Sequence, residues 1–562
     1  MEIPAQPQIP RRDPAQVMRL GRLGSMHQCR LSFMRVLTRR MAREGWEFSR
    51  PVFDIDAKGV GRAVYTAKGP ERTYSLVAFA HDLPPEMRSD RVIATAWDAT
   101  FTLFDGVPTT EDLDRLEQNV PYQEAGRVRE TELSVSRANR SVRLWEHFVD
   151  ALSQGRQPDA DKIEAVGYLM RTTAVYGSGK LGASDYDAIS DRPELRVPFQ
   201  VEMLSVFLTR AFVRDLVNHM ARARGGDGAV EMSDEVAHSL GIGNSTGLGL
   251  GPYIINHPLL FNNWIMARET AIARVRSVET ASAEETEQFL DAFRRSLLSV
   301  AQWRSEHDVQ IEKLADLRKD LDTLQAHLAS GALDGASPWD RLVSWSETAL
   351  SVEGQELVAS LILEPYGNLV DDLAPDMADT NRDAFTIDGS MPIAEVRRLI
   401  ETSFGWALSL DWQAKENQAR AWYVSEEKLE PRVGERFEED IAPYETPLAP
   451  ARDATAAHAT LRDWGDDKPV AAFLLRHPEH RHTIRRAQIS AGAPYSEIRD
   501  NTISADMFPV DLLRVKLAFF GATHFDPRSD RWVRICMFGN APYPEDLNND
   551  NADMWVYPEE QS

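Results

Sequence analysis

The sequence predicts an α+β protein that is rich in helix. Segments rich in β-branched and aromatic residues, separated by turn-forming residues, occur near the N-terminus. Runs with apolar residues at helical spacing dominate the middle of the chain, and both patterns mix towards the C-terminus. Since 562 residues exceed what one core usually holds, we expect three parts. These are an N-terminal helix with an antiparallel sheet (1–125), a helical bundle with glycine-rich turns (126–372) and a C-terminal α+β section (373–562).

The composition restricts the class of function. A net charge of −24 argues against a general nucleic-acid binder, which needs a basic face. The two cysteines, Cys29 and Cys536, cannot build a disulfide framework, and we expect both to be reduced. The first residues lack the apolar region of a secretory signal, and no run of about 20 lipophilic residues predicts a transmembrane helix. We therefore expect a cytoplasmic protein that does not bind membranes.

The N-terminal part is expected to combine one helix with a four-stranded meander. Residues 15–44 carry apolar side chains at helical spacing, with arginines at the remaining positions. Such arginines usually form a solvated or salt-bridged face rather than a recognition surface. The segments that follow predict strands at about 48–55, 60–67, 71–80 and 90–104.

The middle of the chain predicts helices at about 135–152, 158–173, 198–224, 282–330 and 337–372. Pro198 suits the first position of a helix, where its missing N–H has no intrahelical partner to lose. Ser282 and Glu285 form a capping-box pattern at the start of another. The C-terminal part predicts helices near 392–404, 453–464 and 468–476, and strands near 405–412, 418–424 and in the segment RWVRICMFG.

The stretch 239–267 contains no charged residue, although 27% of the whole chain is charged. Its glycines fit no dinucleotide-binding fingerprint, and its prolines exclude a lipid-spanning helix. The turn-like segment GNSTG supplies small polar groups in Asn244, Ser245 and Thr246. Buried amides need partners. We therefore expect either a polar cradle for a substrate or a rigid junction in which these amides cap helix ends.

A second glycine-rich stretch, 171–185, reads RTTAVYGSGKLGASD. It is not a P-loop, because Ala174 and Leu181 replace the glycine and the hydroxyl residue that the motif requires. Glycines nevertheless allow backbone N–H groups to converge, and Lys180 could then bind or protonate an anionic group, with Tyr176 beside it. The alternative is a tight turn between helices with a solvated lysine.

The segment PYSEIRDN (494–501) is a third candidate. Arg499 could orient a substrate carboxylate while Glu497 acts as a base. The alternative is a structural network of ion pairs.

The histidines predict no metal site. In the histidine-rich segment 476–486, Pro478 interrupts a helix and several arginines repel a dication. Glu235 and His238 form one ExxH unit, but a carboxylate-bridged metal pair needs two such units.

The leading hypothesis is a cytoplasmic, metal-independent lyase, isomerase or hydrolase that uses acid–base chemistry on a small anionic substrate. We assign proton transfer to Lys180 and Tyr176, and substrate binding to Arg171, Asn244, Ser245, Thr246, Glu497 and Arg499. The helix from Pro198 should hold both glycine-rich stretches in one neighbourhood. The alternatives are a non-catalytic scaffold or assembly protein, in which 239–267 is a core junction or interface, and a redox enzyme with an organic cofactor. The sequence identifies no cofactor and leaves a homo-oligomer open.

Overall fold

One nine-stranded sheet unites distant parts of the chain in the computed structural model. The structure describes residues 8–84, 86, 97–121, 129–159, 162–163, 166–172, 189, 191–246, 257–303, 305, 308–378, 388–414, 423–424, 429–430, 449–499, 509–522, 524–527 and 533–557.

The sheet is almost entirely antiparallel. Its strands are β1 (Glu47–Ile55), β2 (Gly61–Lys68), β3 (Thr73–Ala80), β4 (Ala99–Asp105), β5 (Glu132–Arg140), β6 (Tyr168–Thr172), β7 (Gly241–Thr246), and later in the chain β10 (His524–Pro527) and β11 (Val533–Met537). Their order is β1-β2-β3-β4-β5-β6-β7-β11-β10. Neighbours are antiparallel except β6 and β7, which run parallel. Strands β8 (Tyr423–Val424) and β9 (Leu429–Glu430) pair separately.

Helices make up most of the remaining described structure. They are α1 (Pro14–Val17), α2 (Leu20–Leu23), α3 (Phe33–Arg43), α4 (Thr110–Asn119), α5 (Trp145–Ser153), α6 (Gln200–Gly225), α7 (Asp234–Ser239), α8 (Pro258–Arg276), α9 (Ala283–Gln302), α10 (Asp308–Ala329), α11 (Pro338–Ala349), α12 (Val352–Leu361), α13 (Gly367–Val370), α14 (Ile393–Leu408), α15 (Ala449–Arg462), α16 (Val470–Arg476), α17 (Arg481–Gly492) and α18 (Pro509–Phe520). Within the described ranges, none of them combines the length and hydropathy needed to cross a membrane.

The predicted α+β class and the N-terminal meander are confirmed. Strands β1 to β4 are consecutive antiparallel neighbours. Their side chains contribute alternately to two hydrophobic cores, because successive residues of a strand point to opposite faces of the sheet. Val64, Val77 and Phe104 pack with Leu113 and Leu116 of α4, whereas the other face belongs to the main core.

Helix α6 covers that second face. It packs on strands β2 to β7, and the ring of Phe212 contacts the ring of Phe101 edge-on at 5.5 Å. The prediction of a long helix here is confirmed. Its first residue is Gln200, two residues after the predicted start at Pro198. The preceding Phe199 has a left-handed φ of 63°.

Strands β5 and β6 replace two predicted helices. The apolar spacing at 135–152 spans two elements, since only its second half is the helix α5. The end of the predicted helix 158–173 is strand β6. Strand β6 is a short run that is buried throughout, which periodicity alone does not distinguish from a helix segment. In β5, residues 132–136 do alternate between polar and apolar, but the helical spacing that continues into α5 is longer.

Several other elements differ from their predictions. Residues 243–246 of the predicted turn GNSTG belong to β7, which pairs with β6 and β11. The single helix predicted at 15–44 is divided into α1, α2 and α3; α2 ends where the backbone of Gly24 passes directly against Asp511. The helical stretch 282–330 is interrupted at Trp303. Helix α14 extends to Leu408, so residues 405–408 are not a strand.

The arginines of the N-terminal region form buried ion pairs, one of the two predicted outcomes. Arg30, Arg35 and Arg39 all contact the carboxylate of Asp553, at 2.6, 2.7 and 3.0 Å respectively. These contacts connect the beginning of the chain to its C-terminal region.

A second, smaller core lies among helices α14 to α17. It contains Ile393, Ile400, Leu461, Phe473 and Ile484. The predicted helices at 392–404, 453–464 and 468–476 are confirmed as α14, α15 and α16.

Candidate functional site

Strands β6 and β7, which carry the first residues of one glycine-rich stretch and part of the other, end at the same edge of the sheet. The strands are adjacent and parallel, with Arg171 opposite Gly243. Since the carboxyl ends of adjacent parallel strands meet at one edge, the chain enters both stretches from neighbouring positions after Thr172 and Thr246. Helix α6 packs on both strands. The residues that follow, 173–188 and 247–256, lie outside the described part of the chain, and so do Tyr176 and Lys180.

Asn244 is the most unusual side chain at this edge. It is 1% exposed and lies opposite Ile535 of β11. Neither its amide oxygen nor its amide nitrogen has a hydrogen-bond partner among the described residues. A buried polar group without a partner costs about 1–3 kcal/mol, so the position of this amide calls for an explanation.

Of the other predicted site residues on these strands, the structure describes the side chain of Arg171 and only the backbones of Ser245 and Thr246. Arg171 is buried and is paired by register with Asn139 of β5 as well as with Gly243, the neighbour of Asn244. The structure therefore places Arg171 and Asn244 at adjacent positions of neighbouring strands. Their side chains are on opposite faces of the sheet, because Arg171 shares the face of its register partner Gly243. Ser245 and Thr246 pair through their backbones with Arg534 and Val533, while their side chains lie outside the described residues.

Two glycines of β7 are explained by packing alone. A β-carbon on Gly241 would overlap the carbonyl oxygen of Met537 and lie 2.7 Å from the backbone nitrogen of Gly539. A β-carbon on Gly243 would lie 2.6 Å from the ring of Tyr168. At these two positions the absence of a side chain permits close approach within the sheet, which favours the junction alternative for this part of the stretch.

Replacing Gly241 by alanine should therefore destabilise the fold. The new methyl group meets backbone atoms that cannot rotate away, and overpacking of this kind costs about 1–3 kcal/mol. Gly21→Ala is the matched control, because no atom lies within 4 Å of its added β-carbon and alanine is the better helix former. Equal unfolding free energies of the two variants in urea would contradict the close packing of β7.

Glu497 and Arg499 have their described contacts elsewhere. Glu497 is buried and accepts hydrogen bonds from Arg486 Nε at 2.7 Å and Ser490 Oγ at 3.1 Å, both on α17. The backbone nitrogen of Arg499 donates to the carbonyl oxygen of Met18. Glu497 thus forms a structural ion pair with α17. The backbone contact of Arg499 attaches the same segment to the N-terminal region.

The sequence does not predict a cleft of about 720 Å³ between the N-terminal segment and helices α10, α11 and α12. The basic side of the cleft, lined by Arg12, Arg22 and Lys313, is its floor. Behind these residues is the carboxylate of Glu356, whose side chain is 0% exposed and lies 2.7, 2.6 and 2.9 Å from nitrogen atoms of Arg12, Arg22 and Arg268. Arg12 also pairs with the buried Glu269 at 2.6 Å. The walls come from segments about 300 residues apart in the sequence. The only indication of the cleft within a short stretch of sequence is therefore the group of arginines in the N-terminal region.

A second buried carboxylate lies one helical turn earlier. Both carboxylate oxygens of Glu353 accept hydrogen bonds from the guanidinium of Arg514, and Lys313 lies 3.4 Å away. Burial alone would raise the pKa of Glu353, but Arg514 and Lys313 outweigh it and lower that pKa to about 2. Burial lowers the pKa of the adjacent His27 to about 4, and burial raises the pKa of Asp511.

The histidine-rich segment is packed with aromatic side chains. The rings of His477 and His480 lie 5.1 and 5.9 Å from the ring of Phe473. Across the described ranges, no group of three or more His, Cys, Asp or Glu side chains is placed to hold a metal ion.

No known protein family, curated protein or solved structure matches this chain.

Proposed function

We propose that the protein binds a small anionic molecule at the carboxyl ends of β6 and β7 and acts on it by acid–base chemistry. The observation that carries this proposal is the buried amide of Asn244, which has no partner among the described residues. A ligand that hydrogen-bonds to this amide would remove the cost of leaving it unsatisfied.

The topology of the sheet supports the location. In open sheets, ligands bind at the carboxyl ends of parallel strands where connections diverge. Here β6 and β7 are parallel neighbours, and each leads into a glycine-rich stretch. In this proposal Lys180 and Tyr176 transfer protons, while Arg171, Ser245 and Thr246 contribute to binding. Cys29 and Cys536 are both buried and form no disulfide, which supports a cytoplasmic location.

The second candidate is a non-catalytic scaffold in which 239–267 is a core junction. The close packing of Gly241 and Gly243 favours it. The two candidates differ in what they require of Asn244: a binding site needs its amide, and a junction needs only its volume.

A thermal-shift screen with carboxylates and phosphates tests the proposed function. A ligand at 100 times its dissociation constant stabilises the folded state by about 2.7 kcal/mol, so the wild-type melting temperature should rise. The shift should disappear in Lys180→Gln and in Asn244→Leu. It should persist in Lys58→Gln, which changes an exposed lysine in the turn between β1 and β2.

Two outcomes would reject this function. One is a screen in which no carboxylate or phosphate raises the melting temperature. The other is a shift that survives both Lys180→Gln and Asn244→Leu, which would place the ligand elsewhere.

A further inference from the structure

We infer that the cleft between the N-terminal segment and helices α10–α12 binds a small zwitterion, either a free amino acid or a short peptide. The carboxylate of the ligand lies against the floor, and its ammonium group lies at the rim. This site is separate from the edge of β6 and β7, and the inference does not depend on the function proposed there.

The size and accessibility of the cleft suit such a ligand. Its volume of about 720 Å³ falls within the range of about 300–1,000 Å³ that is typical of small-molecule sites. Polar and charged side chains line most of it, and no aromatic side chain is among them. This lining favours a polar ligand over an apolar one.

The floor presents positive charge because the cations and their partners differ in exposure. The side chains of Arg22 and Lys313 are 20% and 19% exposed. The carboxylates that they contact belong to Glu356, Glu353 and Asp511, which are 0–6% exposed. Glu356 and Asp511 are not among the lining residues, and Glu353, which is, exposes only 6% of its side chain. A ligand that enters the cleft therefore meets mainly the N–H donors of Arg22 and Lys313.

The first turn of helix α12 places Arg22 in the cleft. Its first residues, Val352 and Glu353, line the cleft together with the capping residue Ser351. The partial positive charge of this helix end is already used within the protein, because the backbone nitrogen and the hydroxyl of Ser351 donate to the buried carboxylate of Asp320. Arg22 is held against this end, since its Nη2 donates to Gln355 Oε1 at 3.0 Å. The guanidinium of Arg22 therefore marks the expected carboxylate position.

The rim has the opposite charge. Asp316 of α10 and Glu347 of α11 line the cleft and are exposed. Within the described ranges neither carboxylate has an ion-pair partner. They attract an ammonium group and repel a second anionic group. This arrangement of charge favours a zwitterion over phosphate or a dicarboxylate.

Calorimetric titration of the full-length protein with matched probes tests the inference. The probes are alanine, trialanine, N-acetyl-trialanine, trialanine amide, succinate and inorganic phosphate. We expect the amide to bind at least about 10-fold more weakly than trialanine, because the charge-assisted hydrogen bonds to its carboxylate are lost. The acetylated peptide should lose about 2- to 5-fold, as expected of exposed ion pairs. Comparison of alanine with trialanine separates a site for amino acids from one for peptides.

Two variants locate the ligand. Arg22→Gln should weaken trialanine binding about 10-fold; its removal leaves Glu356 paired with Arg12 and Arg268. Arg294→Gln is the control, since Arg294 is an exposed arginine paired with Glu287. The exposed double variant Asp316→Asn/Glu347→Gln should weaken trialanine binding while leaving or improving succinate binding, and the exposed Asp322→Asn is its control. Because both rim residues are exposed, this variant tests the site even if Arg22→Gln fails to fold.

The inference is overturned if neither alanine nor trialanine binds at ~10 mM, a concentration at which a ligand of millimolar affinity would be detected. It is also overturned if succinate or phosphate binds more tightly than both zwitterions, or if the rim variant binds trialanine as the wild type does.

Discussion

Replacing Glu356 by glutamine is expected to lower the free energy of unfolding by about 3–5 kcal/mol. Its carboxylate is fully buried and contacts Arg12, Arg22 and Arg268. The substitution keeps the shape of the side chain but removes its charge. Arg268, which is also fully buried, then retains Glu269, at 3.3 Å, as its one anionic partner among the described residues. Uncompensated buried charge is among the costliest changes a fold can undergo.

Urea denaturation of Glu356→Gln measures this effect directly. Glu312→Gln is the control: it makes the same chemical change at an exposed position of α10 and should alter stability by less than about 0.5 kcal/mol. If both variants unfold at the same urea concentration, the ionic network does not hold the N-terminal segment to the body of the protein.

Acid is expected to destabilise the fold by an amount on the order of 5 kcal/mol between pH 7 and pH 3. His27 has a folded pKa of about 4, below its usual 6.5, so the unfolded chain takes up this proton first and stability falls from pH 6.5 towards 4. Glu353 has a folded pKa of about 2, so its stabilising contribution is present above about pH 4.5 and is lost as pH falls towards 2. The raised pKa of Asp511 acts in the opposite direction.

Stability measured in urea across this pH range tests the assignment. In His27→Gln, the slope between pH 6.5 and 4 should decrease by up to about 1.4 kcal/mol per pH unit, the contribution of one proton. His482→Gln changes an exposed histidine and should preserve the wild-type slope. A His27 variant with an unchanged slope would show that another group causes the loss.

Local patterns predicted strands β1 to β4, because runs of β-branched and aromatic residues there are bounded by turn-forming residues. Burial does not distinguish them from the missed strands, since β3 and β4 are as buried as β5 and β6. The capping box of Ser282 and Glu285 is present at the start of α9, because it depends only on residues three positions apart. Strand β6 is five residues long and buried throughout, so periodicity alone does not distinguish it from a buried helix segment. The apolar spacing that predicted a helix at 135–152 continues from β5 into α5.

The two candidate sites differ in whether a short stretch of sequence indicates them. The sequence singled out Asn244 and Arg171 because uncharged, glycine-rich composition is a local property, and the structure places them on neighbouring strands. The cleft was missed because it is formed by ion pairs such as Arg22 with Glu356, which are 334 residues apart. No pattern within a short window reports which distant carboxylate neutralises a given arginine.

The stability of Asn244→Leu without any ligand tests the central claim most directly. Leucine has a similar shape and removes the amide oxygen and the amide nitrogen, neither of which has a partner among the described residues. If Asn244 is retained for a ligand, its replacement should raise the free energy of unfolding in urea by about 1–2 kcal/mol, while abolishing the ligand-induced thermal shift. A decrease in stability would contradict the claim, because it would show that the amide has a structural partner in the folded protein.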